Sequence, residues 1–187
     1  MYDTKKELAV VALSTSESNP GNYALILEET ETRRRIPMII GAAEAQAIAI
    51  TMEQMKPARP LTHDLFKNTL AALEVELVEV LIHSLVDQIF HASLLLKKND
   101  GTQLTIDSRA SDAIAMAVRF NAPIYTFQFV VEEAGILADV FFANNKKGSL
   151  AEYSLPELEE LLERVLAKED YESAARIRDL IERRKNV

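Results

Sequence analysis

Short runs of alternating apolar and polar residues dominate the first 145 positions of the chain, and this alternation is typical of half-buried strands. The six runs cover residues 8–13, 23–28, 34–40, 75–83, 88–96 and 103–106. Turn-forming residues at 18–22 and 99–101 separate neighbouring runs, as hairpins require. The pattern therefore predicts two groups of three strands.

Each group of strands is followed by a segment whose apolar residues recur at helical spacing. Helices are predicted over 43–55 and 111–120, and a proline lies just beyond the end of each. A third helix is predicted over 62–73. The segment 127–142 fits either a short helix or an extended run, so its pattern is ambiguous.

The two halves of this region repeat one another. Residues 40–50 match residues 106–116 at an offset of 66, and the prolines that follow keep the same offset. At this offset Glu44 corresponds to Ala110, so the first copy lacks the acidic residues of the second. We predict an α+β domain in which duplicated strand-strand-strand-helix units form a mixed or antiparallel sheet with helices.

Two more apolar stripes at helical spacing lie on either side of a polar break at 168–170. Helices joined by so short a break fold back as an antiparallel hairpin, and Ser154 with Glu157 forms a capping box at its start. The stripe is wider than two short helices can bury between them, so we predict that a second hairpin or a partner helix covers the remainder. The predicted partner-binding residues are Leu158, Leu161, Leu162, Val165, Tyr171, Ala174, Ala175, Ile177 and Ile181.

These patterns divide the chain into a domain at 1–143, a polar linker at 144–153 and the helical hairpin at 154–187. The chain contains no cysteine, which excludes disulfides, zinc–thiolate sites and thiol catalysis. The start of the chain is polar rather than a signal peptide, and no apolar stretch approaches the ~20 residues of a membrane helix. We therefore expect a cytoplasmic protein that does not bind a membrane.

The net charge changes the expected partners. It is −8 over the whole chain, and the one obvious basic tract is Arg33-Arg34-Arg35. A protein that grips a phosphate backbone without regard to sequence normally carries a basic face. The charge thus argues against tight non-specific binding of nucleic acid, although a local groove can oppose the global sign. The three arginines follow several glutamates and fit an ion-paired hairpin edge better than a phosphate track.

The strongest candidate chemistry lies where a predicted strand turns into a helix. Asp107 and Asp112 are five residues apart there and could hold a divalent cation such as Mg²⁺. Arg109, between them, could bind a phosphate oxygen bidentately. Ser108 and Ser111 lie at the helix start, whose free amides favour an anion. The segment is therefore a candidate catalytic, metal-binding and substrate-binding site.

A second group of polar residues precedes and begins the predicted helix at 62–73. His63 and Asp64 could form a general acid–base pair there, and Arg59 is positioned to approach the substrate. Both groups also fit a purely structural role. Asp107 or Ser108 would cap one helix, with Arg109 pairing to an acid, and Thr62 would cap the other. The residues alone leave the catalytic and the structural interpretations open.

The string D-S-R-A-S-D-A-I-A-M-A at 107–117, followed by Ala122-Pro123-Ile124, resembles the signature of the bifunctional nuclease family. R-P-x-T-H-D-L at 59–65 and I-I-G-x-x-E-A at 39–45 are similar to it as well. The likeness spans about residues 5–140, with Ala110 where the family pattern has proline. It implies hydrolysis of phosphodiester bonds in DNA or RNA and a tendency to dimerise.

The string D-Y-E-x-A-A-x-x-R-D-x-I at 170–181 resembles the UVR motif of the excision-repair proteins UvrB and UvrC. That resemblance implies a hairpin that docks on protein partners and dimerises. The sequence is therefore consistent with two alternative functions. One is a nuclease that carries a docking hairpin. The other is a non-catalytic, dimeric regulatory protein that recruits a partner through the hairpin.

Overall fold

The computed structural model describes residues 4–16, 19–136 and 155–167, and a further set of single residues near the end of the chain. These are Ala174, Ala175, Ile177, Arg178, Ile181, Glu182 and Lys185. The chain divides into two compact units, 1–135 and 136–187. The predicted linker at 144–153, and with it Ser154 and Tyr171, lies outside the described residues.

Seven strands of the first unit form one mixed sheet. They are β1 (Lys5–Thr15), β2 (Tyr23–Glu29), β3 (Arg35–Ile40), β4 (Val75–Val86), β5 (Ile89–Lys98), β6 (Gln103–Arg109) and β7 (Ile124–Phe127). Their order across the sheet is β3-β2-β1-β7-β4-β5-β6. Every pairing is antiparallel except that of β7 with β4, which is parallel. The predicted α+β class with a mixed sheet is confirmed.

The described residues of the first unit also form four helices. They are α1 (Ala42–Met52), α2 (Thr62–Ala72), α3 (Ala110–Phe120) and α4 (Gln128–Ala134). α1 packs against α3, and α2 packs against α3 and β4. The ambiguous segment that begins at Phe127 contains the end of β7 and then α4.

The duplication is visible in the fold, but its register differs from the one that the sequence predicts. Each group of three antiparallel strands leads into a helix, and α1 and α3 both contain 11 residues. Their first residues are Ala42 and Ala110, so the helices start 68 residues apart rather than 66. Glu44 and Asp112 are therefore equivalent third residues, and the first copy has retained an acid. The 66-residue register is wrong because an alanine-rich helix matches itself at more than one shift.

The hairpin turns explain the strand registers. Gly21 and Gly101 have φ values of +87° and +85° in the turns that the sequence predicts. β4 and β5 are joined by Asp87 and Gln88, whose φ values of 50° and 64° are left-handed, as a tight two-residue hairpin requires. Neither residue of that turn is glycine, so the usual sequence signal of such a hairpin is missing.

The arginine tract lies at the edge of the sheet. Arg33 and Arg35 each place a guanidinium nitrogen 2.9 Å from the carboxylate of Glu28, and Arg34 donates a hydrogen bond to the carbonyl of Gly135. All three arginines are thus engaged within the fold. The interpretation of this tract as an ion-paired hairpin edge is confirmed.

The second unit contains α5 (Leu155–Ala167) and the single residues beyond it. Its buried apolar cluster consists of Leu158, Leu161, Val165, Ala174, Ile177 and Ile181. The polar break at 168–170 lies outside the described residues, so the hairpin itself stays a prediction. None of the helices described here is both long enough and apolar enough to cross a membrane.

Candidate functional site

A cleft of about 770 Å³ lies between α1, the start of α2 and the start of α3. We call it the helix cleft. Among its lining residues are Glu44, His63, Ser108, Arg109 and Asp112. Four of these five are residues that the sequence singles out as candidates. His63 lies at least 45 positions from Ser108, Arg109 and Asp112, so packing of the helices brings these four residues together.

The entry into α3 fixes the position of the arginine and the acid. β6 ends at Arg109 and α3 begins at Ala110, so no loop residue separates strand from helix. Arg109 is the N-cap residue with extended dihedral angles, φ −63° and ψ 141°. Asp112 is the third residue of the helix, one turn away. An arginine and an acid at this spacing face one another across the first turn.

Four side chains of the cleft form a continuous charged network. Asp112 Oδ2 accepts a hydrogen bond of 2.8 Å from Arg109 Nε, and its Oδ1 lies 3.1 Å from His63 Nε2. Glu44 Oε1 lies 3.0 Å from a terminal nitrogen of Arg109. The hydrogen bond that Arg109 donates to Asp112, followed by the negative charges of Asp112 and Glu44, raises the pKa of Arg109 above its ordinary value. Arg109 is therefore a permanent cation held between two carboxylates.

Gly41 gives Glu44 the space for this contact. It is the N-cap residue of α1, and a Cβ atom at position 41 would lie 2.5 Å from Glu44 Oε2. Any larger residue would push the carboxylate out of its position. The glycine of the I-G-x-x-E string thus serves the glutamate three positions later.

A second cleft, of about 530 Å³, adjoins the first. We call it the strand cleft. It is lined by the end of β3, the start of β5 and the start of α3, and Ser111 is among its lining residues. The residues that line both clefts are Glu44 and Arg109. Their ion pair therefore stands between the two spaces.

The predicted pair of His63 and Asp64 is not formed as an acid–base dyad. Asp64 accepts hydrogen bonds from the amide of Leu61 at 2.9 Å and from Arg119 Nε at 2.8 Å. These two contacts, the amide first, lower the pKa of Asp64 below its ordinary value. Successive residues of a helix point about 100° apart, and Asp64 is directed to Leu61 and Arg119 rather than to the ring of His63. The carboxylate that contacts His63 is Asp112.

The two predicted metal ligands do not share a cavity. Ser108 lines the helix cleft, whereas Asp107, its neighbour on β6, lines neither cleft. Asp107 is exposed and lies opposite Ser93 in the register of β5 and β6. Among the described residues no cluster of three or more acidic or histidine side chains is arranged to hold a metal ion. Arg59 is exposed and does not line either cleft.

Sequence reasoning gave no role to two residues that organise this site, Glu44 and Arg119. The side chain of Arg119 is only 3% exposed. It binds Asp64 of α2, the carbonyl of Ala47 in α1 at 2.9 Å and that of Ala115 in α3 at 3.0 Å. The sequence signal that could have identified Arg119 is a single charged residue between apolar neighbours in α3. Arg119 therefore ties together the three helices that form the helix cleft.

The predicted docking stripe is largely internal to the second unit. Six of its nine residues form the buried cluster of that unit. Leu162 packs against the cluster and is half-buried, whereas Ala175 is exposed. A partner therefore has a smaller apolar surface available than the sequence implies.

The difference in burial between Ala174 and Ala175 can be tested by substituting each of them with glutamate. Ala174→Glu places a carboxylate inside the cluster, which costs several kcal/mol if no cation or hydrogen-bond donor pairs with it. We therefore expect the second unit to lose its protection from hydrogen exchange. Ala175→Glu, one position along and exposed, should leave it intact. Hydrogen–deuterium exchange of peptides from α5 in the full chain measures the difference. Equal protection in both variants would contradict the described burial of Ala174.

Comparison with known proteins supports both sequence resemblances. The family model described as the bifunctional nuclease domain matches residues 25–139, and the UvrB/uvrC motif matches residues 152–186. An uncharacterized protein of Mycobacterium tuberculosis, present in strains H37Rv and CDC 1551, is 38% identical over 132 residues. The match covers 70% of this chain and 77% of the mycobacterial protein.

Proposed function

The chain belongs to the bifunctional nuclease domain family, and from that premise we propose that it hydrolyses phosphodiester bonds of DNA or RNA in the helix cleft. The observation that carries the proposal is the network of Glu44, His63, Arg109 and Asp112. It places a permanent cation, a histidine and two carboxylates in one cleft. Phosphodiester hydrolysis needs a charge partner for the phosphate and a group that moves a proton.

Arg109 is the group that would bind the phosphate. Its planar guanidinium matches two phosphate oxygens, and its side chain is 68% exposed despite its two ion pairs. Because this guanidinium is largely open to solvent, a phosphate can reach it and replace one of the two carboxylates. We expect the phosphate to displace Glu44 rather than Asp112 from Arg109, because Asp112 also contacts His63.

His63 is the group that would move the proton. Asp112 accepts from Nε2, which favours the tautomer that leaves a lone pair on Nδ1. His63 would take a proton from the attacking water as the new P–O bond forms. Solvent water supplies the proton that the leaving oxygen takes as the old P–O bond breaks, and His63 returns its own proton to solvent, so one water molecule is consumed overall. Asp112 acts as the positioning residue for both His63 and Arg109.

The predicted divalent cation is tested against this donor set. The helix cleft contains the carboxylates of Glu44 and Asp112, and Arg109 already holds an oxygen of each. The second oxygen of Asp112 contacts His63. The set as it stands does not fit a cation, and the proposed hydrolysis uses no metal ion. A requirement for Mg²⁺ remains a prediction, which assays with added Mg²⁺ and with a chelator decide.

One feature of the same network favours the second function. Each of its charged side chains has a partner, which also fits a purely structural role in which the network holds α1, α2 and α3 together. On this alternative the chain is a homodimer without catalytic activity, and its UVR motif recruits a protein partner. Family membership favours hydrolysis, and the UVR motif is compatible with both functions. Activity assays on a folded variant distinguish them.

The replacement Arg109→Ala is expected to reduce hydrolysis by about 10²–10³-fold, because removal of one preorganised charge donor costs that much in comparable sites. Arg33→Ala is the matched control, since Arg33 is 70% exposed and also pairs with a glutamate. Labelled single-stranded and duplex DNA and RNA are assayed with Mg²⁺ and with chelator. Unchanged hydrolysis by Arg109→Ala would refute this site, and no hydrolysis by the unmodified chain would refute the function.

A further inference from the structure

We propose that the substrate is single-stranded nucleic acid, which lies across the Glu44–Arg109 ion pair with one nucleotide in each of the two clefts. The inference rests on the proposed function and names its substrate class. It starts from the shared lining of the helix cleft and the strand cleft. Both contain Arg109, so a phosphate bound there would have chain on either side.

The size of the clefts suits individual nucleotides. Their volumes, about 770 Å³ and about 530 Å³, lie within the ~300–1,000 Å³ of typical small-molecule sites. A base that is paired and stacked in a duplex cannot enter such a space, whereas a base of a single strand can be turned into it. Two adjoining clefts with one cation between them match two successive nucleotides and the phosphate that joins them.

The lining of each cleft suits the face of a base. The helix cleft contains Phe66, a residue that is 38% exposed, and the strand cleft contains Phe90 beside the exposed Ile89. Stacking of a base on an aromatic side chain contributes independently of sequence, because every base has a π-face. Each cleft therefore offers one aromatic ring and apolar neighbours to one base.

The charge of the clefts argues against a duplex. Their charged lining residues are Glu44, Arg109 and Asp112, which sum to −1 when His63 is neutral. A protein that holds a duplex through its backbone neutralises several phosphates with lysine and arginine. Here one arginine can meet one phosphate, so binding must draw on base contacts. Bases are available for stacking in a single strand and not in a duplex.

The test measures binding of dye-labelled single strands of DNA and of RNA, and of a hairpin duplex of the same composition, to the full chain. We expect the single strands to bind at least about tenfold more tightly than the duplex. Phe66→Ala should weaken single-strand binding about tenfold. Leu65→Ala is the control, because Leu65 is the preceding residue of α2, is exposed and lines neither cleft.

The strand cleft is tested in the same way with a charge. Ile89→Glu puts a carboxylate into that cleft and should weaken binding about fivefold through repulsion of the phosphates. Val86→Glu is the control, since Val86 is the cross-strand partner of Ile89 and lies outside the cleft. Both residues are exposed, so neither change disturbs the core.

The outcomes separate the inference from the proposed function. Preference for single strands with loss in Phe66→Ala and Ile89→Glu, but not in the controls, supports the inference. Equal binding of duplex, or equal effects in variant and control, overturns it even if hydrolysis is observed. If single strands bind as expected but no hydrolysis occurs, the two clefts are a single-strand binding site and the proposed nuclease function is wrong. Absence of all binding overturns both.

Discussion

Replacement of Asp64 by alanine is expected to lower the free energy of unfolding by about 3–5 kcal/mol, because it leaves the charge of Arg119 buried without a counter-ion. The side chain of Arg119 is 3% exposed, and Asp64 is the carboxylate that holds it. We expect a value near the lower end, because Asp64 itself is 30% exposed and water can partly replace it. The loss of the amide contact at Leu61 adds the cost of a helix cap.

The double variant Asp64→Ala with Arg119→Met is the internal control. Once the buried charge is removed, much of the penalty should disappear, since apolar replacement of a buried ion pair is often neutral. Denaturant unfolding of the four chains of this cycle gives the coupling energy. Asp100→Ala is a second control, because Asp100 caps an exposed turn and has no buried cation. A loss in Asp64→Ala no larger than in Asp100→Ala would show that Arg119 does not depend on this acid.

The pH dependence of stability follows from the same contacts. The pKa of Asp64 is lowered in the folded chain, first by the amide of Leu61 and then by Arg119. A lowered carboxyl pKa stabilises the fold at pH values above the ordinary value of about 3.9, and this contribution disappears as the pH falls through the folded value. The acid limb of unfolding should therefore be less steep in Asp64→Asn than in the unmodified chain.

The strands and helices follow from the sequence because their apolar periodicity is local. The six strands and three helices predicted for the first domain all occur in the described residues, and their ends shift by a few positions. β7 was missed because its four residues are too short to show alternation. The 66-residue register of the repeat failed for a related reason, since alternating alanines fit two shifts equally well.

The site was predicted less well because its partners depend on tertiary packing. A strand that ended at residue 106 would leave Asp107 in a turn, free to join Asp112. β6 instead continues to Arg109, so Asp107 is held in the strand opposite Ser93 of β5 and lines neither cleft. Likewise the contact of His63 with Asp112 depends on how α2 packs against α3, which neither helix specifies alone. The sequence therefore indicated which types of residue form the site, but it did not indicate which of these residues contact one another.

His63→Ala is expected to reduce hydrolysis by about 10²–10⁴-fold, the usual contribution of a positioned acid–base group. The melting temperature should change little, because His63 is half-buried and its described contact is one hydrogen bond to Asp112. His91→Ala is the matched control, since His91 is an exposed histidine on β5 that lines neither cleft. Initial rates on a labelled single strand across pH give the comparison.

Asp112→Asn decides between catalysis and a structural lock, because Asp112 is the residue that links His63 to Arg109. If Asp112 positions both groups for hydrolysis, the rate falls as far as in His63→Ala, and the double variant loses no more than either single variant. Stability then falls by less than ~1 kcal/mol, as expected for an ion pair whose arginine is exposed to solvent. If the network is only a lock, stability falls by more than that, and any hydrolysis declines in step with the unfolded fraction. Full hydrolysis in a folded Asp112→Asn chain would remove this residue, and with it the His63 mechanism, from the proposed function.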